Sequence, residues 1–181
     1  MSGVSAAFRG EPVGDEVRER AFKRLRMLWT LEAVNLVLVP AAVTTVVLRS
    51  GGSIGLAMIS GGLLCAALPV LGTLYWRAKL AQLRSGASVL PGRAGFARVK
   101  PVAAGAVMVS AAGWVVPLAA GNADAAGLIG GVVLWTMGAL EYVNYFHRQV
   151  MHDTRADVRR LVATRRLRRS FLALDLERPP P

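Results

Sequence analysis

The sequence predicts an all-α integral membrane protein with four transmembrane helices and both termini in the cytoplasm. Hydrophobic residues make up 54% of the 181 residues, and the mean hydropathy of +0.43 exceeds that of ordinary soluble domains. Four apolar runs approach or exceed the roughly 20 residues that a helix needs to cross a bilayer. The basic residues between and beyond these runs collect almost entirely on one side of the predicted membrane domain, 28–152.

The predicted spans are the four apolar runs, at residues 28–48, 54–76, 101–120 and 125–147. Lipid offers no hydrogen bonds to the backbone, so each run is expected to be helical. The runs are too long for strands and lack the alternating pattern of a β-barrel. Of the 22 Lys and Arg residues, 21 fall on the side of the two termini and the 77–100 loop, which predicts that this side is cytoplasmic.

The segments outside the spans are predicted from composition. Residues 1–14 are small and polar and are expected to be disordered. Residues 15–27 begin with acids, end with bases and carry one apolar face, which predicts an amphipathic helix. That helix either lies along the membrane surface or continues straight into the first span.

The C-terminal tail, 153–181, is strongly basic. Asp153 or Thr154 could cap an amphipathic helix that runs to about Arg169. The following "SFLALDL" is apolar enough to be ordered against something else, and the final prolines are expected to fray. Contact with anionic lipid headgroups, worth roughly 1 kcal/mol per near-surface Arg, is the expected role, and docking of a protein partner is the alternative. The tail arginines concerned are Arg159, Arg160, Arg165, Arg166, Arg168 and Arg169.

A stripe of small residues runs along the fourth span. At about 100° per residue, Gly127, Gly131, Gly138 and Glu141 fall within one narrow arc. Small residues let two helices approach closely in lipid. Glu141 is therefore expected to face another helix, belonging either to the same chain or to a neighbouring copy.

The first and fourth spans carry the same polar pattern, Glu-x-x-Asn. Both patterns lie one to two turns from the cytoplasmic boundary, and each puts its two polar residues on one helix face. Two carboxylates and two carboxamides could therefore meet, with a tyrosine and a histidine nearby. The predicted cluster consists of Glu32, Asn35, Glu141, Asn144, Tyr145 and His147.

The cluster has a functional and a structural interpretation. An ionisable group in a span is costly and is by default a functional candidate, and two close carboxylates can share a proton or hold a cation. In the structural interpretation, the carboxylates reach interfacial water or nearby arginines, and the asparagines join helices. A specific ligand is a third interpretation. The histidine spacing fits a metal site poorly, so neither metal nor cofactor is expected.

The C-terminal third resembles the ending of small, uncharacterised four-span bacterial membrane proteins. The resemblance covers about residues 135–176, "EYVNYFHRQVMHD" followed by "RRLRRSFLALDL". In those proteins a Glu-Tyr-x-Asn-Tyr-Phe-type motif closes the last span, and a basic stretch follows with a Ser-x-Leu-x-x-Asp-Leu-like end. The resemblance implies no particular activity. It implies that Glu141, Tyr142, Asn144, Tyr145 and His147 form one unit.

These observations favour a homo-oligomeric proton or cation channel or transporter in the bacterial plasma membrane. The alternative is a non-catalytic accessory or scaffold subunit that recruits a partner or anionic lipid through its basic tail. The sequence contains no nucleophile motif, Asp-rich metal motif or phosphate loop, so an enzyme is not expected. No removable signal peptide is expected. The net charge of +11 follows from the membrane asymmetry, so no nucleic-acid partner is expected either.

Overall fold

A computed structural model describes residues 14–122, 124–150 and 155–178. The expectations for residues 1–13, for a cap at Asp153 or Thr154 and for the terminal prolines lie outside these ranges. The described chain forms six helices, α1 to α6, and four of them are long and apolar enough to cross a membrane. This confirms an all-α fold with four candidate spans. The helices are α1 Asp15–Arg49, α2 Leu56–Ser85, α3 Arg93–Ala119, α4 Ala125–Phe146, α5 Arg155–Thr164 and α6 Phe171–Glu177.

Helix α1 continues without a break from the predicted amphipathic segment into the first span. Its 35 residues extend about 52 Å, which exceeds the roughly 30 Å of a hydrocarbon core. The extra turns pack on the end of α2, where Ala21 and Leu25 bury themselves against Leu80. The Arg18 guanidinium donates a hydrogen bond to the Leu83 carbonyl at 2.8 Å. The structure thus favours continuation over a separate surface helix.

Helices α2 and α3 both extend beyond the predicted spans, towards the loop that joins them. The apolar run locates the part of a helix suited to lipid, but the backbone hydrogen bonding continues through the charged residues beyond it. Pro101, which the sequence places well for the first turn of the third span, lies inside α3 instead. That helix begins after Gly92, whose φ of 75° favours glycine and ends the preceding turn.

Helix α2 is the centre of the bundle and packs against α1, α3 and α4. Its closest approach is to the glycine stripe of α4. A Cβ on Gly61 would overlap the Gly131 carbonyl, and a Cβ on Gly131 would overlap the backbone of Ala57. Gly138 lies in the same way against Leu64. The glycine stripe therefore packs against α2 of the same chain. These contacts give no support for a role of the stripe in joining copies of the protein.

The end of the bundle that carries the 77–100 loop and both terminal segments is called the basic end below. At the opposite end, Asp124 caps α4 and accepts a 2.6 Å hydrogen bond from the Gly127 N–H. It also accepts hydrogen bonds from the hydroxyl and N–H of Ser53, at 2.5 and 3.3 Å. One carboxylate thereby joins the α1–α2 loop to the start of α4.

Replacing Asp124 with alanine is expected to lower the melting temperature at pH 7 but not in acid. The hydrogen bonds from Ser53 and then Gly127 hold the pKa of Asp124 below its usual value. A carboxyl whose pKa is depressed by folding stabilises the protein above its unfolded pKa, and this contribution disappears as pH falls through the folded pKa. Thermal unfolding in detergent at pH 7 and at about pH 3 checks this. Asp15→Ala is the control, because Asp15 caps no helix. An equal gap between Asp124→Ala and wild type at both pH values would contradict it.

Candidate functional site

Two carboxyl groups from different helices meet in the half of the bundle nearer the basic end. Glu32 on α1 is 8% exposed, and Glu141 on α4 is half-buried. The two groups interact electrostatically, and both approach the hydroxyl of Tyr145 on α4. They meet within one chain because α1 and α4 both pack on α2 with their Glu-x-x-Asn patterns at the same depth.

Tyr145 is the residue that joins the two carboxyl groups. Its side chain is 3% exposed and lies on Gly72 of α2, where a Cβ would overlap the phenol oxygen. The Tyr145 hydroxyl and Oε2 of Glu141 have no hydrogen-bond partner of ordinary geometry within the described part of the chain. Buried polar atoms are usually satisfied, so these two oxygens have capacity for a further donor.

A cavity of about 160 Å³ lies beside this group. Four residues of the predicted cluster line it: Glu32, Asn35, Asn144 and Tyr145. The remaining wall is partly aromatic, from Tyr75 and Trp76 of α2 and Phe171 of α6, and partly leucine. Glu141 contacts the group from outside this lining.

Asn144 and His147, both predicted to belong to the polar cluster, make contacts that the sequence did not predict. The Asn144 side-chain oxygen accepts a 2.9 Å hydrogen bond from the Val150 N–H, which fixes the turn after α4. His147 follows the last residue of α4, is exposed, and lies 3.3 Å from the Tyr142 hydroxyl. Partial burial, and then the charges of Lys100 and Arg169, lower the pKa of His147. The structure therefore keeps Asn144 at the cavity and separates His147 from it.

The last described residues fold back onto the basic end and form part of the cavity wall. Residues 167–177 are called the C-terminal hook. Ser170 donates from its hydroxyl to the Tyr145 carbonyl at 2.5 Å and from its N–H to the His147 carbonyl at 3.3 Å. The same hydroxyl caps α6 by accepting from the Ala173 N–H at 3.1 Å. Leu172 of the hook is 1% exposed.

A buried ion pair holds the hook on α2. Asp175 accepts a 2.9 Å hydrogen bond from the Lys79 ammonium and a 2.8 Å hydrogen bond from the Tyr75 hydroxyl. Lys79 also donates to the Gln82 side chain at 2.9 Å. Lys79 is 3% exposed and Asp175 is 8% exposed, so the pair is removed from water. The Arg93 guanidinium adds a 2.8 Å hydrogen bond to the Leu176 carbonyl.

The tail arginines do not form one continuous surface. The predicted helix to Arg169 is wrong: α5 ends at Thr164, and the chain turns at Arg165, whose φ is +49°. Arg168 lies over the Phe171 ring, and Arg169 pairs with Glu177, so both have partners within the hook. Arg159, Arg165 and Arg166 are exposed. The Arg160 side chain lies outside the described residues.

The residues that hold the hook are absent from the predicted cluster. The available signals were an apolar heptapeptide interrupted by one acid, Asp175, and a lysine, Lys79, at the end of the second apolar run. Each signal is weak by itself. The partners are 96 residues apart, and only the docked structure pairs them.

No protein-family model matches the chain, and neither the curated proteins nor the solved structures contain a match. The function proposed below is therefore drawn from the geometry of the site.

Proposed function

We propose that this protein moves protons or small cations across the bacterial plasma membrane as a non-catalytic homo-oligomer, with both termini in the cytoplasm. The observation that carries the proposal is the meeting of Glu32 and Glu141 at the Tyr145 hydroxyl inside a four-span bundle. On this proposal the basic end is cytoplasmic, in accord with the bias of Lys and Arg, and the carboxyl pair lies near the inner mouth.

The chemistry of the pair supports a mobile positive charge. Two carboxylates close together in a medium of low dielectric repel each other, and a proton or a cation between them relieves that repulsion. The Tyr145 hydroxyl and Oε2 of Glu141 make no hydrogen bond of ordinary geometry with the described residues, so the group has unused hydrogen-bonding capacity. Intramembrane acids of this kind occur on ion and proton pathways.

The outer surface supports contact with lipid and with further copies. Exposed apolar side chains cover α1 and α3; examples are Val37 at 67%, Met108 at 74% and Val109 at 76% exposed. Three long helices packed around a central fourth enclose too little space for a wide aqueous pore, so a conducting path is proposed to form between copies. The exposed tail arginines are proposed to contact anionic headgroups on the cytoplasmic side.

Ion flux in proteoliposomes tests this function. Glu141→Gln and Glu32→Gln are each expected to reduce proton or cation flux about ten- to a hundredfold, because an interaction with a charged group is worth roughly 1.5–3 kcal/mol. The flux of H⁺, Na⁺ and K⁺ would be measured with trapped indicator dyes. Glu19→Gln is the matched control, since Glu19 lies on the same helix as Glu32 but is exposed and pairs with Lys23 at 2.8 Å.

Equal flux from wild type and both cluster variants would overturn the proposal, as would no flux from well-folded wild-type protein under several gradients. The second result would favour a non-catalytic accessory or scaffold subunit. The observation behind that alternative is the exposure of individual tail residues, namely Arg159, Arg165, Arg166 and the 73% exposed Val162. A cytoplasmic protein or anionic lipid would then be its partner.

A further inference from the structure

We infer that the positive charge which this site takes up is an organic ammonium group, bound in the cavity between Glu32 and the aromatic wall. The inference rests on the proposed function and names its substrate class. It is carried by the size of the cavity, by the residues that line it and by its position in the bundle.

The size of the cavity fits a small organic molecule. Its volume is about 160 Å³. Engineered cavities of about 150 Å³ bind benzene, so this one suits a molecule of about six to eight non-hydrogen atoms. A bare metal ion would leave most of that space empty.

The residues that line the cavity suit an ammonium group better than a metal ion. Metal ions in proteins take four or more N, O or S ligands, and the described residues contain no group of three His, Cys, Asp or Glu side chains that could supply them. An ammonium instead requires a counter-charge and aromatic faces. Glu32 provides the carboxyl group, and Tyr75, Trp76, Tyr145 and Phe171 provide the rings.

Three of the aromatic side chains in the cavity wall pack on one another as one group. The Tyr75 and Trp76 ring centroids are 4.8 Å apart and inclined at 55°, and Trp76 meets Phe171 edge-on at 6.2 Å. The Tyr75 hydroxyl is held by Asp175, so this ring is fixed by the hook. Rings fixed before the ligand arrives lose little entropy on binding.

The position of the cavity indicates how a ligand reaches it. Leu31 of α1 lines the cavity and is also 50% exposed, so the cavity extends to the outer face of the bundle beside α1. Arg24, which has partners of its own, also lines it eight residues before Glu32, or about 12 Å along the helix. The arginine thus repels an ammonium from the basic end, and Glu32 attracts it deeper. Such an opening admits a dissolved amine or the amine headgroup of a lipid.

Calorimetric titration of the full-length protein in detergent with choline tests this inference. Choline is expected to bind at least about tenfold more tightly than 3,3-dimethylbutan-1-ol, its uncharged isostere, because only the cation pairs with Glu32. Glu32→Gln is expected to abolish that preference, and Glu19→Gln to preserve it. NaCl at equal ionic strength controls for general charge effects.

Choline titrations of the protein in lipid nanodiscs distinguish a lipid headgroup from a dissolved amine as the source of the ammonium group. At a constant share of phosphatidylglycerol, a choline affinity that falls as phosphatidylethanolamine replaces an uncharged glycolipid assigns the site to a lipid headgroup, and an unchanged affinity assigns it to a dissolved amine. Equal binding of choline and its isostere to wild-type protein overturns the inference, whether or not Glu32→Gln folds. If choline and its isostere bind equally but Glu141→Gln still changes ion flux, the inference fails and the proposed function stands. If choline binds more tightly than its isostere but the protein moves no ions, the proposed function fails and the ammonium site stands.

Discussion

Replacing Asp175 with alanine is expected to destabilise the protein by about 3–5 kcal/mol, because Lys79 then either holds a buried charge without a counter-ion or must give up its proton. Lys79 is 3% exposed, so its ammonium group cannot gain water unless the hook detaches. The Tyr75 hydroxyl loses its partner at the same time. The free energy of unfolding in detergent micelles, compared with that of wild type, measures the effect.

A matched control lies on the same short helix. Arg169 and Glu177 form an ion pair at the surface, with about half of each side chain exposed, and Glu177→Ala is expected to cost no more than about 1 kcal/mol. A triple variant with Asp175→Leu, Lys79→Met and Tyr75→Phe removes both buried charges and the Tyr75 hydroxyl together. It should recover most of the stability that Asp175→Ala loses. A small effect of Asp175→Ala alone would show that the hook leaves the bundle readily.

Replacing Gly131 with alanine is expected to destabilise the bundle by about 1–3 kcal/mol, since the new methyl group has no space. It would overlap the backbone of Ala57 and lie 2.6 Å from the Ala57 Cβ. Backbone atoms cannot rotate away as a flexible side chain can, so α2 and α4 must separate. Thermal unfolding in detergent, with size-exclusion chromatography to detect aggregation, measures the outcome.

Gly105 offers the comparison for this substitution. It lies in α3, another candidate span, and a Cβ there would meet nothing within 4 Å. Gly105→Ala is therefore expected to cost no stability and to gain up to about 1 kcal/mol from the higher helix propensity of alanine. An equal loss of stability from both substitutions would contradict the close α2–α4 contact as its cause, because alanine itself has the higher helix propensity.

The features predicted well from the sequence depend on helix geometry alone. Run lengths give four spans because a helix rises a fixed 1.5 Å per residue. The same rise places Glu32 and Glu141 at one depth, and the 100° rotation puts Glu141 on the glycine face of α4. Once α1 and α4 pack on a common helix, these two side chains meet without any further information.

The features that the sequence did not predict depend on contacts between distant segments. His147 lies apart because α4 ends at Phe146, and nothing in "NYFHRQ" marks that end. The turn at Arg165 falls within a run of arginines that contains neither Gly nor Pro, so no breaker residue signals it. The pairing of Lys79 with Asp175 appears only when the hook docks, because the two residues are 96 residues apart in the sequence.

The hook also fixes the order in which the cavity can be completed during synthesis. Ser170 and Phe171 line the cavity, and they leave the ribosome after all four long helices. A nascent chain that has inserted its spans but not yet released these residues lacks that wall. The Tyr75 ring is already present, but the hydrogen bond to Asp175 that fixes it forms only when the hook docks. Membrane insertion and maturation of the site are thus separate events, and a ribosome stalled before Ser170 would leave an inserted bundle whose site is still open.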